Sequence, residues 1–150
     1  MGIELSSTEL DSYMRNSPRI ILCVTRPGRA PLAVPMWFGW QDETIYMRTA
    51  LASKKVDYIK ENPLVSCLVE SGEEYFSLKA ALLIGRCEVV DDQTRARELE
   101  PLLFATKPIY EKLWPSELPP HIEKIYAAPM AMLVVKPTSL TTWDFSKVRR

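Results

Sequence analysis

Histidine is almost absent from this chain: His121 is the only one in 150 residues. It lies in a proline-rich connector, Leu118-Pro119-Pro120-His121. That excludes a His-rich metal site and leaves His121 as the single imidazole a catalytic thiol could use, a reading of little weight. Cysteine is scarce too. Cys23, Cys67 and Cys87 are odd in number, widely spaced, and each set in an apolar, strand-like run. They read as small buried hydrophobes in a reducing compartment, not as a disulfide frame or metal cluster. Net charge is missing as well, 19 basic residues against 19 acidic ones. Nothing global therefore draws the chain to nucleic acid or to an anionic membrane. No apolar run reaches transmembrane length, and Met1 to Asp11 is polar and acidic, unlike an export signal. The expectation is a cytoplasmic protein with no nucleic-acid or membrane partner. Repeats, low-complexity stretches and linkers are also lacking, so one domain over 1–150 is expected.

What is present is ordinary globular material, 47% apolar and 25% charged. Ser6 and Glu9 form a capping-box pattern ahead of a short helix, about Thr8 to Met14, that Ser17-Pro18 ends. Arg19 to Thr25 is a continuous apolar run fit for a buried strand. Arg26-Pro27-Gly28-Arg29 turns it into a second strand, Pro31 to Phe38. Pro35 cannot donate to a ladder, so that strand belongs at an edge or carries a bulge. After a turn at Gln41-Asp42-Glu43, Thr44 to Thr49 alternates Ile45 and Met47 against Tyr46 and Arg48. Leu64 to Glu70 is a further buried strand. Tyr75 to Val90 is long and β-rich, with Gly85 marking a bend or bulge. Asp91 opens a helical region reaching about Leu113, interrupted at Pro101 and Pro108. Loop follows, then a short helix from Ile122 to Tyr126. Met130 to Lys136 and Ser139 to Phe145 close the chain as strands. Hairpin order favours an antiparallel barrel over a parallel sheet.

One segment carries chemistry. Thr49-Ala50-Leu51-Ala52-Ser53-Lys54-Lys55 leads from a strand into a helix that opens at Ser53 and stops at Asn62-Pro63. Two lysines in a first helical turn oppose the helix dipole. They make sense if an anion sits on the free N–H groups and both side chains close on it. The plain alternative is a capped surface helix with solvated lysines.

The order of these pieces resembles the flavin-binding split-barrel family related to pyridoxamine 5′-phosphate oxidase. Leu32 to Phe38 resembles the family's second strand. Ile45 to Thr49, Ser53-Lys54-Lys55 and Asn62-Pro63 resemble its phosphate-binding segment, helix and stop. Phe76 to Glu88 with Gly85-Arg86 resembles a long barrel strand, and Thr142 to Phe145 the closing strand. The resemblance implies a mainly β fold with flanking helices, a six-stranded antiparallel split barrel. It also implies a homodimer and an FMN at its interface, serving a small-molecule substrate. Carried over by position, Lys55 would hold the phosphate, with Ser53 and Lys54 beside it. Arg48 and Thr49 would line the ribityl-phosphate path. Val34, Pro35, Met36 and Trp37 would border the isoalloxazine. Lys79 and Trp143 would complete the site, from this chain or its partner. Ala33 and Phe38 stand where the B6 oxidases carry basic residues, and their substrate-binding residues are not evident. A true B6 oxidase is therefore not expected.

The function implied is an FMN-dependent oxidoreductase. Two alternatives stay open, a deazaflavin-dependent reductase and a non-catalytic flavin-binding protein. An oligoglutamate tail on a deazaflavin would want a longer basic groove than Lys54, Lys55 and Lys60 supply, since Asp57 and Glu61 interrupt them. FMN is the favoured cofactor for that reason. No metal is implied.

Overall fold

The computed structural model describes residues 2–105 and 107–149. Its strands form one curled antiparallel sheet in the order β2-β1-β5-β6-β7-β4-β3. Strand β1 (Ile20–Val24) turns through Gly28, at φ 64°, into β2 (Leu32–Met36). Only β1 flanks β2, so Pro35 does sit on an edge strand, where its missing N–H costs nothing.

The barrel implied by the resemblance has six strands and this sheet has seven, and two strand boundaries differ from those expected. The apolar run Pro31 to Phe38 breaks at Trp37-Phe38, and Gly39–Gln41 forms a separate short strand, β3. It pairs with β4 (Thr44–Ala50) through a two-residue turn, Asp42-Glu43, whose φ values of 51° and 55° suit a tight hairpin. The two strands expected at the C-terminus are instead one, β7 (Met130–Asp144). Its partner β6 (Lys79–Val90) shifts register between Ile84 and Gly85, so Thr138 is an extra residue and Pro137 fits without breaking the strand. A Cβ on Gly85 would lie 2.8 Å from the Lys136 carbonyl oxygen, so the close crossing requires glycine there.

Helix α1 (Ser7–Asn16) has the expected capping box, with Ser6 and Glu9 exchanging bonds, and buries Leu10 and Met14. Helix α2 (Lys54–Glu61) drops Val56 and Ile59 inward, and β5 (Leu64–Ser71) follows it. The core gathers Leu22, Ile45, Met47, Ile59, Cys67, Leu83 and Leu133. Burial pushes the thiols of Cys67 and Cys87 up to about 12, which leaves both inert. The segment read as helical to Leu113 is three short pieces, α3 (Gln93–Leu99), α4 (Pro101–Phe104) and α5 (Ile109–Leu113). Thr106, inside that segment, lies outside the described residues. Helix α6 (Pro120–Ala127) starts two residues before the expected Ile122. No helix among the described residues is long and apolar enough to cross a membrane.

Helix α3 covers one outer patch of the barrel. Ala96 packs there with Val90, Met132 and Val134, and Tyr46 joins them. Across β2, β1, β5, β6 and the later part of β7 the outer face stays half-exposed. Registers align Pro35, Ile21, Leu68, Leu82 and Thr141 in one row across five strands. Ala33, Cys23, Ser66, Ile84 and Ser139 form the next row. Neither row carries a charged side chain.

Candidate functional site

The β4–α2 junction forms a cationic cradle. Strand β4 ends on Ala50, whose carbonyl accepts from the Ser53 N–H at 3.0 Å, folding the link into a tight turn. Ser53 is the N-cap of α2, yet its hydroxyl makes no capping bond. That hydroxyl instead accepts from Lys55 Nζ at 2.8 Å, and Thr49 Oγ1 accepts from the same ammonium at 2.7 Å. Lys55 is half-buried, and burial pulls its pKa below the ordinary lysine value. Among the described residues no carboxylate pairs with it. An ammonium removed from water without a counter-ion is costly. The first-turn N–H groups of α2 and its dipole add more positive potential at the same place. An anion with several acceptor oxygens would satisfy all of these donors. Lys54 stands exposed beside them.

Of the residues singled out in the sequence, Thr49, Ser53, Lys54 and Lys55 therefore come together. Arg48 does not join them. Strand alternation turns Ile45, Met47 and Thr49 to the barrel interior, and Tyr46 and Arg48 to the outside. The Arg48 Nη1 pairs with Glu100 Oε1, and its guanidinium lies 5.2 Å from the Tyr126 ring centre. Lys79 and Trp143 are remote within one chain. Trp143 pairs with Ala80 at one end of the β6–β7 ladder, whereas Thr49 pairs with Ala131 beyond its other end, where Met132 meets Val90. Lys79 Nζ rests 4.7 Å from the Tyr13 ring centre. Trp143 shares the outward side of the sheet with Leu82.

Val34 packs toward the core, while Pro35, Met36 and Trp37 line a cavity of about 500 Å³. Arg48 of β4 lines the same cavity. The remaining walls come from the helical segment, with Leu103, Phe104, Trp114, Ile122 and Tyr126 most prominent. Trp37 is held by stacking on Tyr110, ring centres 4.2 Å apart and 3° from parallel. Tyr110 is itself fixed, its hydroxyl accepting from the Phe38 N–H at 2.8 Å and donating to the Pro18 carbonyl at 2.9 Å. Gly39 admits this arrangement. A Cβ there would stand 2.0 Å from the Leu102 carbonyl oxygen, so only glycine lets α4 lie against β3.

Lys107 braces the same segment from beneath. Its Nζ donates to the carbonyls of Met14 and Ser17 and lies 3.4 Å from the Phe38 ring centre. Burial lowers its pKa to about 7. The sequence predicts helix up to about Leu113 and again from Ile122 to Tyr126, but assigns these helices no part in the site. The concentration of aromatics and prolines over 101–126 was the available signal. Among the described residues no group of three or more His, Cys, Asp or Glu could hold a metal.

Comparison with known proteins bears on the fold and the family. A family model described as pyridoxamine 5′-phosphate oxidase matches residues 6–142. Among curated proteins none matches the sequence. A conserved hypothetical protein of Mycobacterium tuberculosis superposes with a TM-score of 0.80 at 21% identity, covering 99% of this chain and 90% of that one. An FAD-binding protein of Mesorhizobium loti superposes at 0.67 with 18% identity, covering 92% and 94%. A protein described as an F420 reductase gives 0.64 at 26% identity, covering 87% and 94%.

Proposed function

This chain belongs to the pyridoxamine 5′-phosphate oxidase family, and from that premise we propose that it is a flavin-dependent oxidoreductase acting as a homodimer. One observation carries the reading. Lys55 is half-buried, contacts two hydroxyls, and among the described residues meets no carboxylate at the start of α2. Those residues fit a phosphate monoester, so FMN is the cofactor proposed. When bound, the flavin supplies hydride and electron transfer. The chain's own residues hold and shelter it. Lys55, with Ser53 and Thr49 behind it, anchors the phosphate, and Lys54 adds a second positive charge. Met36 and Trp37 offer a dry, flat border. Tyr110 keeps Trp37 from rotating, so that border is set before any ligand arrives.

The half-exposed rows around Ile21, Leu68, Leu82 and Ile84 support the dimer, because an apolar sheet face of that breadth is normally buried. Such a dimer also offers a route by which the partner's copy of Trp143 or Lys79 could reach a flavin that its own chain's copy cannot. A deazaflavin is the second reading, favoured by the 26% identity to an F420 reductase. The test is the absorption spectrum of purified protein after incubation with FMN, then after adding NADH or NADPH. Bound flavin that bleaches with a donor supports an oxidoreductase. Bound flavin that stays oxidised with every donor favours a non-catalytic flavin-binding protein.

A further inference from the structure

We propose that the cavity behind Trp37 takes a flat, apolar molecule bearing a single carboxylate, and that Arg48 receives the carboxylate. The proposal rests on the flavin reading for its chemistry, but on the cavity walls alone for its ligand. At about 500 Å³ the space has the size of a small-molecule site. Trp37, Phe104, Trp114 and Tyr126 make its walls flat and apolar, and Arg48 is the one charged residue among those lining it. Glu100, the partner of Arg48, is not on that wall. It belongs to an adjoining polar pocket of about 300 Å³ with Gln93 and Arg97, and Arg48 and Tyr126 stand between the two spaces.

The guanidinium is well placed to accept a second acid. Its side chain is only 14% exposed, against 39% for Glu100. Among the described residues its one hydrogen bond runs from Nη1 to Glu100, which leaves further N–H donors without a protein acceptor. A neutral flat molecule filling the cavity would strip water from those donors and return nothing, which costs free energy. A carboxylate can take two of them side by side. A multiply charged ligand gains no comparable match, because one cation faces otherwise apolar walls. The cavity begins at Pro35 to Trp37, the segment proposed to border the flavin ring, so a ligand held there lies beside the reacting cofactor.

The test is isothermal titration calorimetry of the full chain with 2-naphthoate and its neutral counterpart naphthalene-2-methanol, with and without saturating FMN. The expected result is naphthoate binding at least about tenfold tighter than the alcohol. Arg48→Gln should bring the two within about twofold while the alcohol binds as before. Glu100→Gln removes a competing anion and should tighten naphthoate alone. Trp114→Ala should weaken both ligands. Equal affinity for acid and alcohol in the unmodified chain, or a preference that survives Arg48→Gln, overturns the proposal. So does mutual exclusion of FMN and naphthoate, because the cavity would then be the flavin's own. A chain that prefers naphthoate yet never binds FMN supports the cavity and overturns the flavin reading.

Discussion

Replacing Lys55 by alanine tests the cradle where its energetics are clearest. The ammonium spans Thr49 Oγ1 at 2.7 Å and Ser53 Oγ at 2.8 Å. A bound phosphate would exchange part of that arrangement for a charge-assisted bond, and losing such a bond costs about 1.5–3 kcal/mol. FMN affinity should fall by about one to two decades. The ligand-free fold should change little, because two effects oppose each other. Buried Thr49 loses its hydrogen-bond partner, a loss of about 1 kcal/mol. The ammonium no longer has to be held in a half-buried place, which offsets that loss. The melting temperature should therefore move by under about 4 °C. Lys60→Ala is the control on the same helix. Lys60 is exposed and already paired with Asp91 at 2.8 Å, so its removal should leave FMN affinity within about twofold. Fluorescence titration of FMN into the three proteins decides the matter. Equal affinities for the unmodified chain and Lys55→Ala, or a larger loss at Lys60, would falsify the assignment.

Three further expectations follow from the fold. Leu82→Arg places a charge in the middle of the half-exposed apolar row, so light scattering should find the unmodified chain dimeric and the variant monomeric. A monomeric unmodified chain at micromolar concentration refutes the dimer. Gly39→Ala drives a Cβ into the Leu102 carbonyl and should destabilise by about 1–3 kcal/mol in urea unfolding; an unchanged midpoint contradicts the packing of α4 on β3. Lys107 has a folded pKa of about 7, below its ordinary lysine value, so the unfolded chain binds more protons above pH 7 and stability should rise with pH. That gain is at most about 2 kcal/mol between pH 7 and 8.5. Lys107→Met should abolish it, and equal pH slopes for the two proteins would contradict the assignment.

Local signals in the sequence located what local physics controls. Ser53 reads as a cap, and α2 begins there. Pro35 demands an edge, and β2 is one. Gly85 marks a bulge, and the β6–β7 register shifts at that point. Strand β3 escaped notice because Trp37-Phe38 prolongs the apolar run, and three residues are too few to display a period of two. Pro137-Thr138 reads as a turn, yet a bulge on a long strand accommodates both. The separation of Arg48 from Thr49 was already written in the alternation of β4, since neighbours on a strand face opposite sides. The cavity was not legible. Its walls come from the end of β2, from β4, from α4, from the loop 114–119 and from α6, which no periodicity links.

The central claim is that the start of α2 holds the phosphate of a flavin. Comparing FMN with riboflavin, which has the same ring and ribityl chain but no phosphate, tests it most directly. Flavin fluorescence quenching gives both affinities in one protein and one buffer. The cradle formed by Lys55, Ser53, Thr49 and the α2 N-terminus predicts FMN bound at least about tenfold more tightly than riboflavin. Inorganic phosphate should weaken FMN and leave riboflavin untouched. Equal binding of the two flavins, or binding of neither, would contradict the account.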